Sequence, residues 1–260
     1  MIKNLSPDVE LSTVKINNQK IFVVRDDYLQ GGTKQRAAIP FLNYYKEKGI
    51  KEFCYASPFS GFAQIALAIS ANICGVKSRI FAEHDPKTKS ISEFSIKALK
   101  YSKVDLFDSL FEASKASIQY ATSNANIMEI PLGFDDEIYK TFLIQELQKQ
   151  WDIICKKINF VPKRIWLPLG SGTLIRSFRK FLPSDIQVNC VNVNILDKND
   201  KRIINVKNLN NINYFESKLL FEQKCDNLPP IPSNPFYDAK LWDTITSVGL
   251  NGDLWWNVAS

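Results

Sequence analysis

The chain has 260 residues, of which 45% are hydrophobic and 23% charged, with 33 Lys and Arg against 27 Asp and Glu for a net charge of +6. These values describe a folded globular protein, long enough to bury a core as one large domain or two closely packed lobes. They exclude a membrane-spanning helix, since no apolar run approaches the ~18–20 residues that a bilayer requires.

Cys54, Cys74, Cys155, Cys190 and Cys225 are scattered singly with no CxxC pair, which argues against a disulfide framework and for small buried hydrophobes. One histidine leaves too few ligands for a mixed Cys/His zinc site, so no metal is expected. The opening MIKNLSPDVEL carries charges and a proline where a signal peptide needs an apolar run, so a cytoplasmic protein is expected. The lysines are spread along the whole chain, which suits a solvated face and leaves a nucleic-acid footprint open.

Taken in order, KIFVV (20–24) reads as a strand followed by a polar, glycine-containing loop. AAIPFLNYYKEKG (37–49) reads as a helix stopping at Gly49. EFCYA (52–56) is a buried strand, leading through SPFSG into an apolar helix that closes at Gly75, and SRIFAE (78–83) is the next strand. This strand–helix–strand unit predicts parallel pairing with a right-handed crossover. Residues 92–101 read as helix, 104–107 as a short strand, 109–123 and 135–157 as helices. RIWLPL (164–169) is a strand that runs into GSGT and a helix, and QVNCVNVNIL (187–196) is another strand. Residues 200–235 are asparagine- and proline-rich with no clear period, and the closing DLWWNVAS is strand-like. The alternation predicts an α/β fold with mostly parallel sheets flanked by helices.

Three loops follow strands, where open α/β sheets gather ligands. In RDDYLQGGTKQRA (25–37), Lys34 stands after two glycines at a helix start; it is a solvated turn lysine or, if partly buried, an amine whose lowered pKa makes it reactive. Asp26 and Asp27 would position that loop, with paired acids or metal ligands as the other reading. In SPFSGFAQIALA (57–68), Ser60 or Ser57 is either a plain N-cap or a polar group at a ligand. In PLGSGTLIRSF (168–178), Gly170, Ser171, Gly172 and Thr173 form a turn whose free N–H groups and helix dipole suit a phosphate, or a structural turn. The sole histidine, His84 in AEHDP, reads as a loop residue.

In this order the loops resemble the fold-type II pyridoxal 5′-phosphate (PLP) enzymes, the tryptophan synthase β-like family. The nearest branch is that of 1-aminocyclopropane-1-carboxylate (ACC) deaminase and D-cysteine desulfhydrase. QGGTKQR is similar to that branch's Gly-Gly-Asn-Lys-x-Arg, SGFAQIALA to its Ser-Gly-Asn turn, and IWLPLGSGT to its phosphate cradle. Tyr237-Asp238-Ala239-Lys240 is similar to its Tyr-x-Gly-Lys, and DLWWNVAS to its closing strand. The resemblance implies two lobes, residues 1–44 with 126–260 binding PLP and 45–125 forming a smaller lobe. It implies a Schiff base on Lys34, with Arg36 in its matching place. Gly170, Ser171, Gly172 and Thr173 would hold the phosphate, Ser60 a substrate carboxylate, and Tyr237 would stack or relay a proton unless it is a structural tyrosine. The family's ring-contacting asparagine is replaced by Gly61 or Phe62 and its threonine by Val258, leaving Phe62 and Ser260 as candidate cofactor contacts. The phosphate loop is one glycine short. The implied activity is a PLP-dependent lyase or deaminase acting on a small amino-acid-like substrate, as a homodimer. A phage-type enzyme acting on an amino-acid-decorated DNA base, with DNA contact, and a non-catalytic protein on a decayed enzyme fold stay open beside it.

Overall fold

The computed structural model describes residues 6–85 and 87–260; residues 1–5, within the opening read above for a leader, lie outside it. Along the chain run β1 (Leu11–Ile16), β2 (Gln19–Arg25), α1 (Gln35–Glu47), β3 (Glu52–Ser57), α2 (Ala63–Cys74) and β4 (Lys77–Glu83). There follow α3 (Glu93–Ala98), β5 (Lys103–Phe107), α4 (Leu110–Thr122), β6 (Ile127–Ile130), α5 (Glu137–Ile158) and β7 (Arg164–Leu169). The remainder is α6 (Thr173–Phe181), β8 (Gln187–Asn192), α7 (Lys201–Lys207), β9 (Ile212–Glu216), α8 (Trp242–Val248) and β10 (Leu254–Asn257).

The chain divides into two units, one taking in Gln30–Phe142 and the other Pro7–Leu29 with Leu143–Ser260. The boundaries fall away from the expected 44/45 and 125/126. The reason is packing: α1 buries Phe41 and Leu42 and packs on α2, while β6 pairs with β3, so both belong with the 45–125 segment.

The first unit holds a four-stranded sheet in the order β5-β4-β3-β6, parallel throughout. β3, in its interior, is the near-continuous apolar run that a strand covered on both faces requires. Helix α2 buries ten of its twelve residues, so it lacks the polar face of a surface helix. It ends at Gly75 with φ +63°, a left-handed C-cap that glycine takes without a Cβ penalty. α4 covers the sheet by packing Ala113 with Cys54, Ala56 and Phe81.

The second unit holds a six-stranded sheet in the order β1-β2-β10-β7-β8-β9; β1 and β2 pair antiparallel and every other pair is parallel. The last strand in sequence, β10, lies in the middle between β2 and β7. Its Trp255 is fully buried and stacks on Trp242 at 6.1 Å, while buried Trp166 stacks on Phe215 at 5.6 Å. Each such ring secures about 3–5 kcal/mol against truncation to alanine. Trp166 satisfies its indole N–H on Asp253 at 2.7 Å, and that carboxylate also pairs with Arg164.

Of the five cysteines, Cys54, Cys74, Cys190 and Cys225 are buried and none is disulfide-bonded. No helix among the described residues is long and apolar enough to cross a membrane.

Candidate functional site

Four helices begin on a side-chain cap, while α8 begins on Leu241 without one, so a missing cap marks a candidate turn only where other features join it. Ser92 accepts from the Ser95 N–H to start α3, Ser109 from Glu112 to start α4, and Asp200 from Arg202 to start α7. Asp136 accepts from Ile138 and Tyr139 to start α5. The helices behind the three loops differ. α1, α2 and α6 begin on Lys34, Phe62 and Gly172, and none of these makes a side-chain cap. The expectation that Ser60 or Ser57 caps α2 is therefore corrected. The Ser57 hydroxyl reaches the Pro58 carbonyl at 3.1 Å, and the helix's N-cap, Phe62, lies two residues beyond Ser60.

In the first unit, Lys34 is half-buried, between buried Thr33 and buried Gln35. Its carbonyl accepts from the Tyr139 hydroxyl at 2.9 Å, and Gly31 N–H donates to Gln35 Oε1 at 2.7 Å, so the loop is tied at both ends. A Cβ added at Gly31 would stand 2.7 Å from Ala66 Cα, so this loop rests directly on α2. The Lys34 loop and the Ser60 turn are thus brought onto the same helix. Arg36 is buried and donates to the Ser6 hydroxyl at 3.0 Å. Ser60 is 3% exposed, and its hydroxyl has no hydrogen-bond partner. A buried hydroxyl in that condition costs about 1–3 kcal/mol unless something binds it. Beside it, Gln64 donates to the Gly61 carbonyl at 2.8 Å and accepts from Ser95 at 2.9 Å. Phe62 packs edge-on against Phe94 at 5.6 Å, an apolar contact where the resemblance places an asparagine.

In the second unit the turn after β7 is buried from Gly170 to Thr173. Gly172 has φ +80°, and the Ser171 and Thr173 hydroxyls lie 3.1 Å apart. A Cβ at Gly170 would come within 2.7 Å of the Tyr237 hydroxyl, so glycine is required there and Tyr237 borders the turn. Arg176, in the first turn of α6, donates to the Ser171 carbonyl at 3.1 Å, adding positive charge. Two glycines, a helix N-terminus and two hydroxyls make a cradle for an anion.

The C-terminal tail belongs to this unit too. Buried Asp238 accepts from the Val258 and Ala259 N–H groups at 2.8 and 3.1 Å, a clamp that sequence reasoning missed. An aspartate in a Tyr-x-x-Lys frame gave no signal of a partner twenty residues away. The Ser260 hydroxyl donates to the Asp27 carbonyl at 3.0 Å. Asp27 and Arg25 form a bidentate buried pair at 2.7 and 2.8 Å, which holds the guanidinium pKa up. Asp26 accepts from the Trp256 indole at 3.0 Å. These two acids fasten the end of β2 and the tail. His84 is buried at the end of β4, with Nε2 2.7 Å from Asp108.

No family model matches the chain, and no curated protein matches its sequence. Solved structures do match. An ACC deaminase homologue shares 13% identity with a TM-score of 0.75, covering 99% of this chain and 91% of its own. O-ureido-L-serine synthase shares 12% with a TM-score of 0.74, covering 98% and 90%. Diaminopropionate ammonia lyase from Escherichia coli shares 13% with a TM-score of 0.68, covering 98% and 83%. The fold is the expected one, that of the fold-type II PLP enzymes.

Proposed function

We propose that this chain is a PLP-dependent enzyme of the lyase or deaminase kind, acting on a small amino-acid substrate, with Lys34 as the residue that holds the cofactor. The observation that carries the reading is the pair of helices α2 and α6. Each follows a parallel strand, and each opens without a capping side chain on a fold shared with those enzymes. One solved relative of that fold, diaminopropionate ammonia lyase, is in complex with an aminoacrylate-PLP azomethine reaction intermediate. PLP, when bound, supplies a sink for the electron pair left at a substrate's Cα.

The residues present fit such a group. The Gly170–Thr173 turn offers backbone N–H groups at the positive end of α6 and two hydroxyls, the donor set that a phosphate takes. Arg176 adds a cation in the same helical turn. Tyr237, against Gly170, supplies a hydroxyl for proton transfer. The orphaned Ser60 hydroxyl and the uncapped start of α2 suit a substrate carboxylate. Lys34, a half-buried residue, would anchor the cofactor through its amine and, once freed, would move the proton at Cα.

Val258 has no side-chain donor or acceptor, and the Ser260 hydroxyl donates to Asp27. Neither side chain would then donate to the cofactor's ring nitrogen, which would favour elimination or deamination over racemisation.

The test is a visible spectrum of the purified protein with PLP, borohydride reduction, and peptide mapping. The adduct is expected on the Lys34 peptide, and Lys34→Ala is expected to lose the absorbance band and at least about a thousandfold in turnover on small amino acids. An alanine variant that keeps both band and turnover refutes the assignment.

A further inference from the structure

The second unit contains a cavity that the reading above does not use. It has a volume of about 330 Å³ and lies between the end of β9 and helix α8, lined in part by Glu216, Ser217, Lys240, Asp243, Thr244 and Ser247. That size is at the lower end of small-molecule sites and is enough for a free amino acid.

Lys240 is the unusual member. The residue is 3% exposed, and its ammonium donates to the carbonyls of Leu220 at 2.6 Å and Phe221 at 3.3 Å. Neither partner carries charge, and Lys240 forms no ion pair among the described residues. An ammonium has three protons to donate; two positions are taken by these carbonyls, and the Phe221 ring lies 5.6 Å from the nitrogen as an uncharged third neighbour. Taking an unpaired ammonium out of water costs several kcal/mol. Burial accordingly pushes the amine down to about 8, which still leaves it protonated at neutral pH.

The cavity's carboxylates are arranged differently. Glu216 and Asp243 are exposed and already engaged, accepting from the Tyr214 hydroxyl at 2.8 Å and the Asn227 amide at 2.6 Å. Lys218, also exposed, completes the charged lining, and the buried Cys225 thiol is held neutral by desolvation. A recessed cation with carboxylates toward solvent discriminates by charge pattern. A bare anion meets two negative groups, and a bare amine meets Lys240.

We propose that this cavity binds a small zwitterion of the α-amino-acid class, its carboxylate on Lys240 and its ammonium toward Asp243 and Glu216. The hydroxyls of Ser217 and Thr244 serve as further donors to the carboxylate. The proposal does not rest on the PLP reading.

The experiment uses the full chain carrying Lys34→Ala, labelled with ¹³C at lysine Cε and titrated with L-serine, acetate and ethanolamine. The Lys240 resonance is identified by its loss in Lys240→Met, or in Lys240→Arg should the methionine variant not fold. L-serine is expected to shift that resonance saturably at millimolar concentration, with acetate and ethanolamine at least about tenfold weaker. Ser247→Leu, which puts a larger side chain at an exposed position of the lining, is expected to weaken L-serine by about tenfold or more. A resonance unmoved by L-serine overturns the proposal. So do acetate acting as well as L-serine, which leaves a simple anion site, and Ser247→Leu binding like its parent.

Discussion

The turns after β3 and after β7 are built on one plan and finished differently. Each leaves a parallel strand, each passes a serine and a glycine, and each enters a helix that has no side-chain cap. After β7, the helix begins on Gly172 at φ +80°, the two hydroxyls face one another, and Gly170 has no room for a side chain. After β3, the helix begins on Phe62, which packs on Phe94, and the Ser60 hydroxyl is left buried with no partner. The first is a finished polar cradle, complete without a ligand. The second is mostly apolar with one unmet hydroxyl. The difference teaches that one strand–turn–helix plan can be completed by its own side chains in one place and left with an unmet polar group in the other.

The comparison can be broken hardest at Gly170. Gly170→Ala pushes a methyl against the Tyr237 hydroxyl and is expected to weaken PLP retention ten- to a hundredfold, about 1–3 kcal/mol of overpacking. Adding Tyr237→Phe should restore part of the loss; equilibrium titration of both variants reads this, and full retention in Gly170→Ala would show that the turn is no cradle. Ser60→Ala comes next. It removes a hydroxyl that makes no bond in the structure, so the melting temperature should hold or rise while KM for an amino-acid substrate rises about tenfold. A drop in stability with unchanged KM would make Ser60 structural. The smallest effect belongs to Phe62→Asn, which gives up the Phe94 contact at about 1–2 kcal/mol of stability. It should also tighten PLP about two- to tenfold if an amide at that position regains a ring hydrogen bond. Calorimetry and titration on one preparation separate the two effects.

Much of the frame was legible in the chain. EFCYA, SRIFAE and RIWLPL are apolar runs because strands inside a parallel sheet are covered on both faces, and composition alone reveals such strands. Of the four edge strands, β5 was legible at 104–107 but β1, β6 and β9 were not. β9, INYFE, sits in an asparagine-rich stretch and is only half-buried, and β6 is four residues long. A strand with one partner and one wet face is under little pressure to look apolar.

The sequence by itself determined the α/β alternation, the three loops at strand ends and the glycines of the turn after β7, because each is a local property of backbone freedom and hydrophobic period. Only the tertiary structure decided the rest. β10 enters the sheet between β2 and β7, pairing Trp256 with Val24 over a separation that no local pattern encodes. Asp238 clamps the tail, Ser60 is left without a partner, and α1 and β6 join the 45–125 segment. These follow from which surfaces bury one another, and burial is a property of the packed chain.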